Sequence, residues 1–335
     1  MGKKDAVTKD YIRDMRVFAD AFNYFIYNGE QVIDSENLHE MDTTAIGIPY
    51  GTEGVSVPVQ KYRDVFRYLA AMTDNQTAYL LLGIELQSNS HYAMPVKAEL
   101  YDALEYARQV EAIARKHRED MKAQKKDKCT NKGKNTKEKR QQPTQDEYLS
   151  GFWKGDTLVP VITLVIFFSS EKWEGPLSLH DMFSIQNEKI LSLVPNYRVN
   201  FIAPASMTEE EIDKFRSSLR EVMLYIKHSK DKEKLISLVS ADERFKNLDR
   251  KAVEVITEVT HTRLKFGNEE NDEKEEKCNM CKAIDDLCEE VADNTRLEAI
   301  RNLMESLESS AEQAMQMLKI PEEAFGKYLS MLKEQ

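Results

Sequence analysis

Three residues at the ends of two short apolar runs carry the clearest chemical signal in this chain: Asp64, just before Val65–Leu69, and Glu85 and Gln87, just after Ala78–Ile84. Between the runs, Thr73-Asp74-Asn75-Gln76 has the residue types of a turn, so the segment predicts a β-hairpin. Antiparallel pairing about that turn puts Asp64 and Glu85 at the same end of the hairpin. Two carboxylates with a neighbouring backbone carbonyl form a hard, open oxygen site suited to Mg²⁺ or Mn²⁺. A second reading stands beside it, since acidic residues also close strands simply by facing water. The run Gly83-Ile84-Glu85-Leu86-Gln87 favours the first, because a charge flanked by so apolar a stretch is costly unless solvated, paired or metal-bound.

The elements that must position these groups follow from periodicity. Ile12, Met15, Phe18, Ala19, Phe22 and Phe25 recur at three- and four-residue steps, predicting one amphipathic helix over Lys9–Tyr27, ended by Asn28-Gly29. Tyr92–Lys122 predicts a long helix with Val96, Leu100, Ala103, Ala107 and Val110 inward, and Lys97, Tyr101, Glu105 and Arg108 on a more polar side. That basic and aromatic side, next to a metal site, could contact a phosphate backbone. Leu158–Phe168, apolar on both faces, predicts a strand covered on both sides, and Tyr197–Ile202 a further strand.

The blocks FADAFNYFIYNGEQVI (Phe18–Ile33), RDVF (Arg63–Phe66), GIELQS (Gly83–Ser88), HYAMPVKAELYDALEYARQ (His91–Gln109) and LVPVITLVIFF (Leu158–Phe168) occur in that order. Together they resemble the Rpn-type family of recombination-promoting nucleases, also called YhgA-like transposases, within the PD-(D/E)XK nuclease superfamily. The likeness covers roughly Asp10 to Lys230. It implies an α/β fold, a PD-(D/E)XK (restriction-endonuclease-like) mixed sheet flanked by helices, here followed by a C-terminal helical region. It also implies a cytoplasmic, Mg²⁺- or Mn²⁺-dependent DNA endonuclease linked to recombination or transposition. The competing class is a catalytically inactive DNA- or protein-binding member of the same fold.

Carried over by position, the resemblance makes Asp64 and Glu85 metal ligands together with the backbone carbonyl of Leu86. Gln87 then stands where most of the superfamily has a lysine, and an amide orients water without supplying charge. Glu30 and Asp42 are further candidate ligands. Leu86 and Lys97 stand where the family more often has asparagine and arginine, and a lysine there gives up bidentate phosphate recognition. Lys97, Tyr101 and Arg108 are the candidate DNA contacts.

Length and charge bound the rest. The 335 residues predict a core of about residues 1–205, a helical subdomain 206–266 and a helical tail 267–335. Within the core, residues 121–146 are rich in lysine, asparagine and glutamine, and predict a disordered basic insertion. A net charge of −11 excludes a broadly basic DNA coat, so contact with DNA must come from local patches. No signal-peptide pattern and no bilayer-length apolar run are present, predicting a cytoplasmic protein without membrane contact. The tail's apolar rhythm suits packing on its own chain or a homo-oligomer through C-terminal helices. Cys278 and Cys281 have ligand spacing, yet only Cys288 is near as a third, short of a zinc site. Walker, G-x-S-x-G and dinucleotide fingerprints are absent.

Overall fold

Leu81, Leu82, Gly83, Ile84 and Glu85 are all buried, the pattern of a strand covered on both faces, and this strand is the centre of the sheet. The structure, a computed structural model, describes residues 3–40, 44–47, 59–62, 64–73, 76–130, 143–262, 264 and 277–333. The chain folds as two compact units, Met1–Lys230 with Glu258–Thr260, and Asp231–Thr257 with His261–Gln335. The division thus falls at Lys230, where sequence predicted boundaries after 205 and 266.

The first unit opens with α1 (Lys3–Ile12) and α2 (Met15–Tyr27), two helices where one was predicted. Asp14 separates them because its carboxylate accepts the Arg16 N–H at 2.8 Å and caps α2. Asn28 (φ 55°) and Gly29 (φ 95°) end α2 in left-handed backbone, as their residue types predict. At Gly29 a Cβ would also come within 2.8 Å of the Lys214 Cβ.

The sheet runs β1 (Leu38–Glu40), β4 (Val65–Thr73), β5 (Gln76–Gln87), β6 (Val161–Phe167), β7 (Asn200–Ile202). The first three strands are antiparallel, and β5, β6 and β7 are parallel, so the fold is mixed α/β. A separate ribbon pairs β2 (Thr44–Gly47) with β3 (Val59–Tyr62). The predicted hairpin is β4–β5, with Val65 opposite Ile84 and Thr73 opposite Gln76.

The parallel step from β5 to β6 requires a crossover, supplied by α3 (Met94–Thr130) and α4 (Gln145–Ser150). α3 buries Met94, Ala98, Tyr101, Asp102, Glu105, Gln109 and Ala114, while Val96 and Ala103 are exposed. The predicted inward stripe is therefore rotated, because the inward polar groups are satisfied. Asp102 accepts from the Thr163 and Tyr197 hydroxyls at 2.6 and 2.7 Å. The Gln109 amide exchanges two hydrogen bonds with the Val159 backbone. Further along, His117 bonds Asp156 at 2.9 Å and stacks on Trp153 with ring centroids 3.9 Å apart. The described part of the predicted disordered insertion is ordered: residues 121–130 continue α3, and 131–142 lie outside the described residues.

After β6 the chain holds α5 (Glu188–Leu191), β7, α6 (Glu209–Ile212) and α7 (Leu219–His228). The sequence reads Glu209–His228 as one helix, but it breaks at residues 213–218. Buried Asp20 on α2 explains the break: its carboxylate accepts the Arg216 and Ser217 N–H groups and the Ser217 hydroxyl at 2.7–3.0 Å. Backbone donors turned toward Asp20 cannot continue a helical ladder.

The second unit holds α8 (Lys232–Ala241), β8 (Leu248–Asp249), most of α9 (Arg250–Thr260), β9 (Lys277–Cys278), α10 (Met280–Leu307), α11 (Ala311–Met317) and α12 (Phe325–Lys333). Leu297, Ile300, Ala314, Met315 and Tyr328 form a small core closed by Leu303, Phe325 and Leu329. Much of the apolar rhythm behind the oligomer expectation is thus packed within this unit. The Cys281 thiol donates to the Val239 carbonyl, and burial raises its pKa.

Candidate active site

The register of β4 on β5 sets the site's geometry. Val65 pairs with Ile84, so Asp64, the residue just before β4, and Glu85, the residue after Ile84, lie at the same open end of the hairpin. The two-residue repeat of a strand puts Gln87 on the same face as Glu85. All three line one cleft of about 410 Å³, with Leu86, Ser88, Asn89, Ser90, His91, Lys97 and Asp5. The cleft lies beyond the C-terminal end of β5, the usual place for a ligand in a sheet with parallel strands.

Glu85 forms its floor at 1 % exposure. Its Oε2 accepts from the Lys97 Nζ at 2.8 Å, and Lys97 stands in the first turn of α3. Asp64 is held from two sides: Oδ2 accepts the Leu86 N–H at 2.9 Å, and Oδ1 faces the Lys9 Nζ at 3.9 Å. α1 reaches the rim a second time through Asp5, whose Oδ1 accepts from the Ser88 hydroxyl. His91 closes the other side, its Nδ1 accepting the Ala93 N–H at 3.2 Å. That leaves the proton of the neutral imidazole on Nε2.

The other sequence candidates separate from this group. Glu30 is exposed on the loop after α2 and does not line the cleft. Asp42 lies outside the described residues. Of the candidate DNA contacts, Arg108 is exposed, Lys97 half-buried and Tyr101 buried. Tyr101 is buried at 4 % exposure, with the Lys97 ammonium 5.8 Å from its ring centroid. Arg108 is engaged by buried Glu105 through bonds of 2.8 and 2.6 Å, which hold its pKa above the usual guanidinium value. Of the side of α3 expected to be polar and open, Tyr101 and Glu105 pack inward while Lys97 is half-buried and Arg108 exposed.

Sequence reasoning missed Asp5, Lys9 and His91. Lys9 and Asp5 share one face of α1 at four-residue spacing, but nothing local ties α1 to the β5 terminus. The nearness of Lys97 had a signal: a helix leaving a strand begins at that strand's end, so its first turn borders the same crevice.

The oxygens around the cleft are hard ones: the carboxylates of Asp5, Asp64 and Glu85 with the Gln87 amide, the Ser88 hydroxyl and the Asn89 amide. Among the described residues no group of three or more His, Cys, Asp or Glu side chains is placed to hold a metal. Mg²⁺ commonly needs only one or two carboxylates, completing its shell with water and substrate phosphate. Asp64 and Glu85 each face an ammonium, so a bound cation would compete with Lys9 and Lys97 for them. Among the described residues no helix is long and apolar enough to cross a membrane. No family model, no curated protein and no solved structure matches the chain.

Proposed function

We propose that the cleft at the end of β5 is the active site of a divalent-metal-dependent DNA endonuclease of the PD-(D/E)XK kind, acting in recombination or transposition. The observation that carries this reading is the convergence of Asp64, Glu85 and Gln87 in one cleft, on one face of a hairpin, with Glu85 buried beneath it. The ordered sequence blocks supply the nuclease class, and the mixed sheet with its α3 crossover is compatible with it.

Asp64 and Glu85 would hold the ion. Mg²⁺ or Mn²⁺ so bound supplies Lewis acidity, lowering the pKa of a water and stabilising charge on the phosphate. The Leu86 N–H orients the Asp64 carboxylate and leaves Oδ1 turned to the cleft cations. Gln87, on the same face, positions water by hydrogen bonding. Lys97 brings from the helix the positive charge that Gln87 lacks. The His91 Nε2 at the rim is placed to meet a phosphate oxygen.

The test is cleavage of supercoiled plasmid in Mg²⁺ by the purified chain and by Asp64→Ala and Glu85→Ala. Both substitutions are expected to abolish it. Unchanged cleavage in both overturns the assignment, and salt-sensitive DNA affinity with no metal-dependent cleavage in any form identifies the binding member of the fold.

A further inference from the structure

We propose that Lys97 and Lys9 are internal counter-ions that hold Glu85 and Asp64 in a metal-free resting state, and that a divalent cation enters by displacing Lys97 from Glu85. The inference rests on the metal-site reading above and adds how the site is regulated.

A carboxylate as deep as Glu85 needs a bonded partner to stay ionised, and Lys97 at 2.8 Å provides one. The two ends of this pair differ in a telling way. The Glu85 side chain is 2 % exposed and has nowhere to go, whereas Lys97 is 30 % exposed and carries its charge on a flexible stem. Lys97 is therefore the movable member. While paired with Glu85, its Nζ also lies 5.8 Å from the Tyr101 ring centroid, at the outer range of a cation–π contact. Asp64 shows the same arrangement in weaker form. One oxygen is committed to the Leu86 N–H, and the other faces Lys9 at a longer 3.9 Å.

Charge balance says what the exchange achieves. In the resting cleft the two lysines balance Asp64 and Glu85, and Asp5 adds a further carboxylate at the rim, so the cleft offers an anion no net attraction. A dication on Asp64 and Glu85 turns that balance positive and releases an ammonium toward the opening. A phosphodiester is drawn in only after the exchange, so metal loading precedes DNA engagement. This also gives a locally cationic DNA site on a chain of net charge −11.

The test is Mn²⁺ binding to the full chain without DNA, read from the electron paramagnetic resonance signal of free Mn²⁺. Lys97→Met is expected to bind Mn²⁺ about tenfold more tightly than wild type, because the ion no longer competes with an ammonium. It should also melt lower than wild type without metal and gain more from Mn²⁺ in thermal melting. Lys97→Gln serves if the methionine variant does not fold, and Lys9→Met is expected to shift affinity in the same direction but less. Equal or weaker Mn²⁺ binding by the Lys97 variants, with binding still lost in Glu85→Ala, overturns the counter-ion proposal alone. Mn²⁺ binding that survives unchanged in both Glu85→Ala and Asp64→Ala overturns the metal-site reading and this proposal with it.

Discussion

The Leu86 N–H donates to Asp64 Oδ2 across 2.9 Å, so the residue between the two carboxylated strand ends fixes one acid while Glu85 beside it supplies the other. This bond separates the structural from the chemical role of Asp64. Asp64→Asn keeps a carbonyl oxygen for Leu86 and loses the charge; Asp64→Ala loses both. We expect Asp64→Ala to lower unfolding free energy by about 1 kcal/mol and Asp64→Asn by clearly less, while cleavage is lost in both. Urea denaturation beside the plasmid assay checks this, and equal destabilisation would show that the bond contributes nothing.

Glu85 is buried near the C-terminal end of the central strand, and a buried ion pair is weak support for stability. Glu85→Gln removes the buried charge and leaves Lys97 able to reach solvent from its partly exposed position. We expect a melting temperature unchanged or raised, together with loss of metal binding and cleavage. A strong drop in melting temperature would mean that Glu85 serves the fold and not the site.

What sequence made legible here was whatever depended on neighbours along the chain. The β4–β5 hairpin could be read because its apolar runs and the Thr73–Gln76 turn are adjacent, and that pairing alone brings Asp64 and Glu85 to one end of it. The inward face of α3 was misjudged because periodicity counts apolar residues, and here Asp102, Glu105 and Gln109 are inside with their hydrogen bonds made by Thr163, Tyr197, Arg108 and Val159. Lys9 at Asp64, and the break between α6 and α7, were beyond reach. Each is imposed by a side chain far away in sequence, which propensity and pattern do not register.

Asp20 offers the sharpest test of such a distant constraint. Its carboxylate, 2 % exposed, accepts two backbone N–H groups and one hydroxyl from residues 216–217. Asp20→Ala would strand those donors in the interior and should cost about 3 kcal/mol. Asp20→Asn retains one acceptor oxygen and should cost less. Chemical denaturation measures both, with a loss under about 0.5 kcal/mol for the alanine variant, the level of an ordinary surface change, counting against the account.

In the second unit, acid should act through Asp293. The hydrogen bond from Lys327 comes first in holding its carboxyl below the ordinary aspartate value, with the Tyr328 hydroxyl at 2.7 Å and the Lys327 and Arg296 charges adding to it. A group whose pKa is lower folded than unfolded binds fewer protons in the native state. It therefore stabilises the fold above its unfolded pKa of about 3.9 and loses that contribution as pH falls through the lower folded value. Asp293 joins α10 to α12, so the segment to watch is Phe325–Lys333. Hydrogen exchange of that helix, corrected for the intrinsic rate, should show protection dropping as the pH is taken below the unfolded value of about 3.9 in wild type. Asp293→Asn should start from lower protection at pH 7 and change little over the same interval. An acid-driven loss of equal size in the asparagine variant would place the titrating group elsewhere.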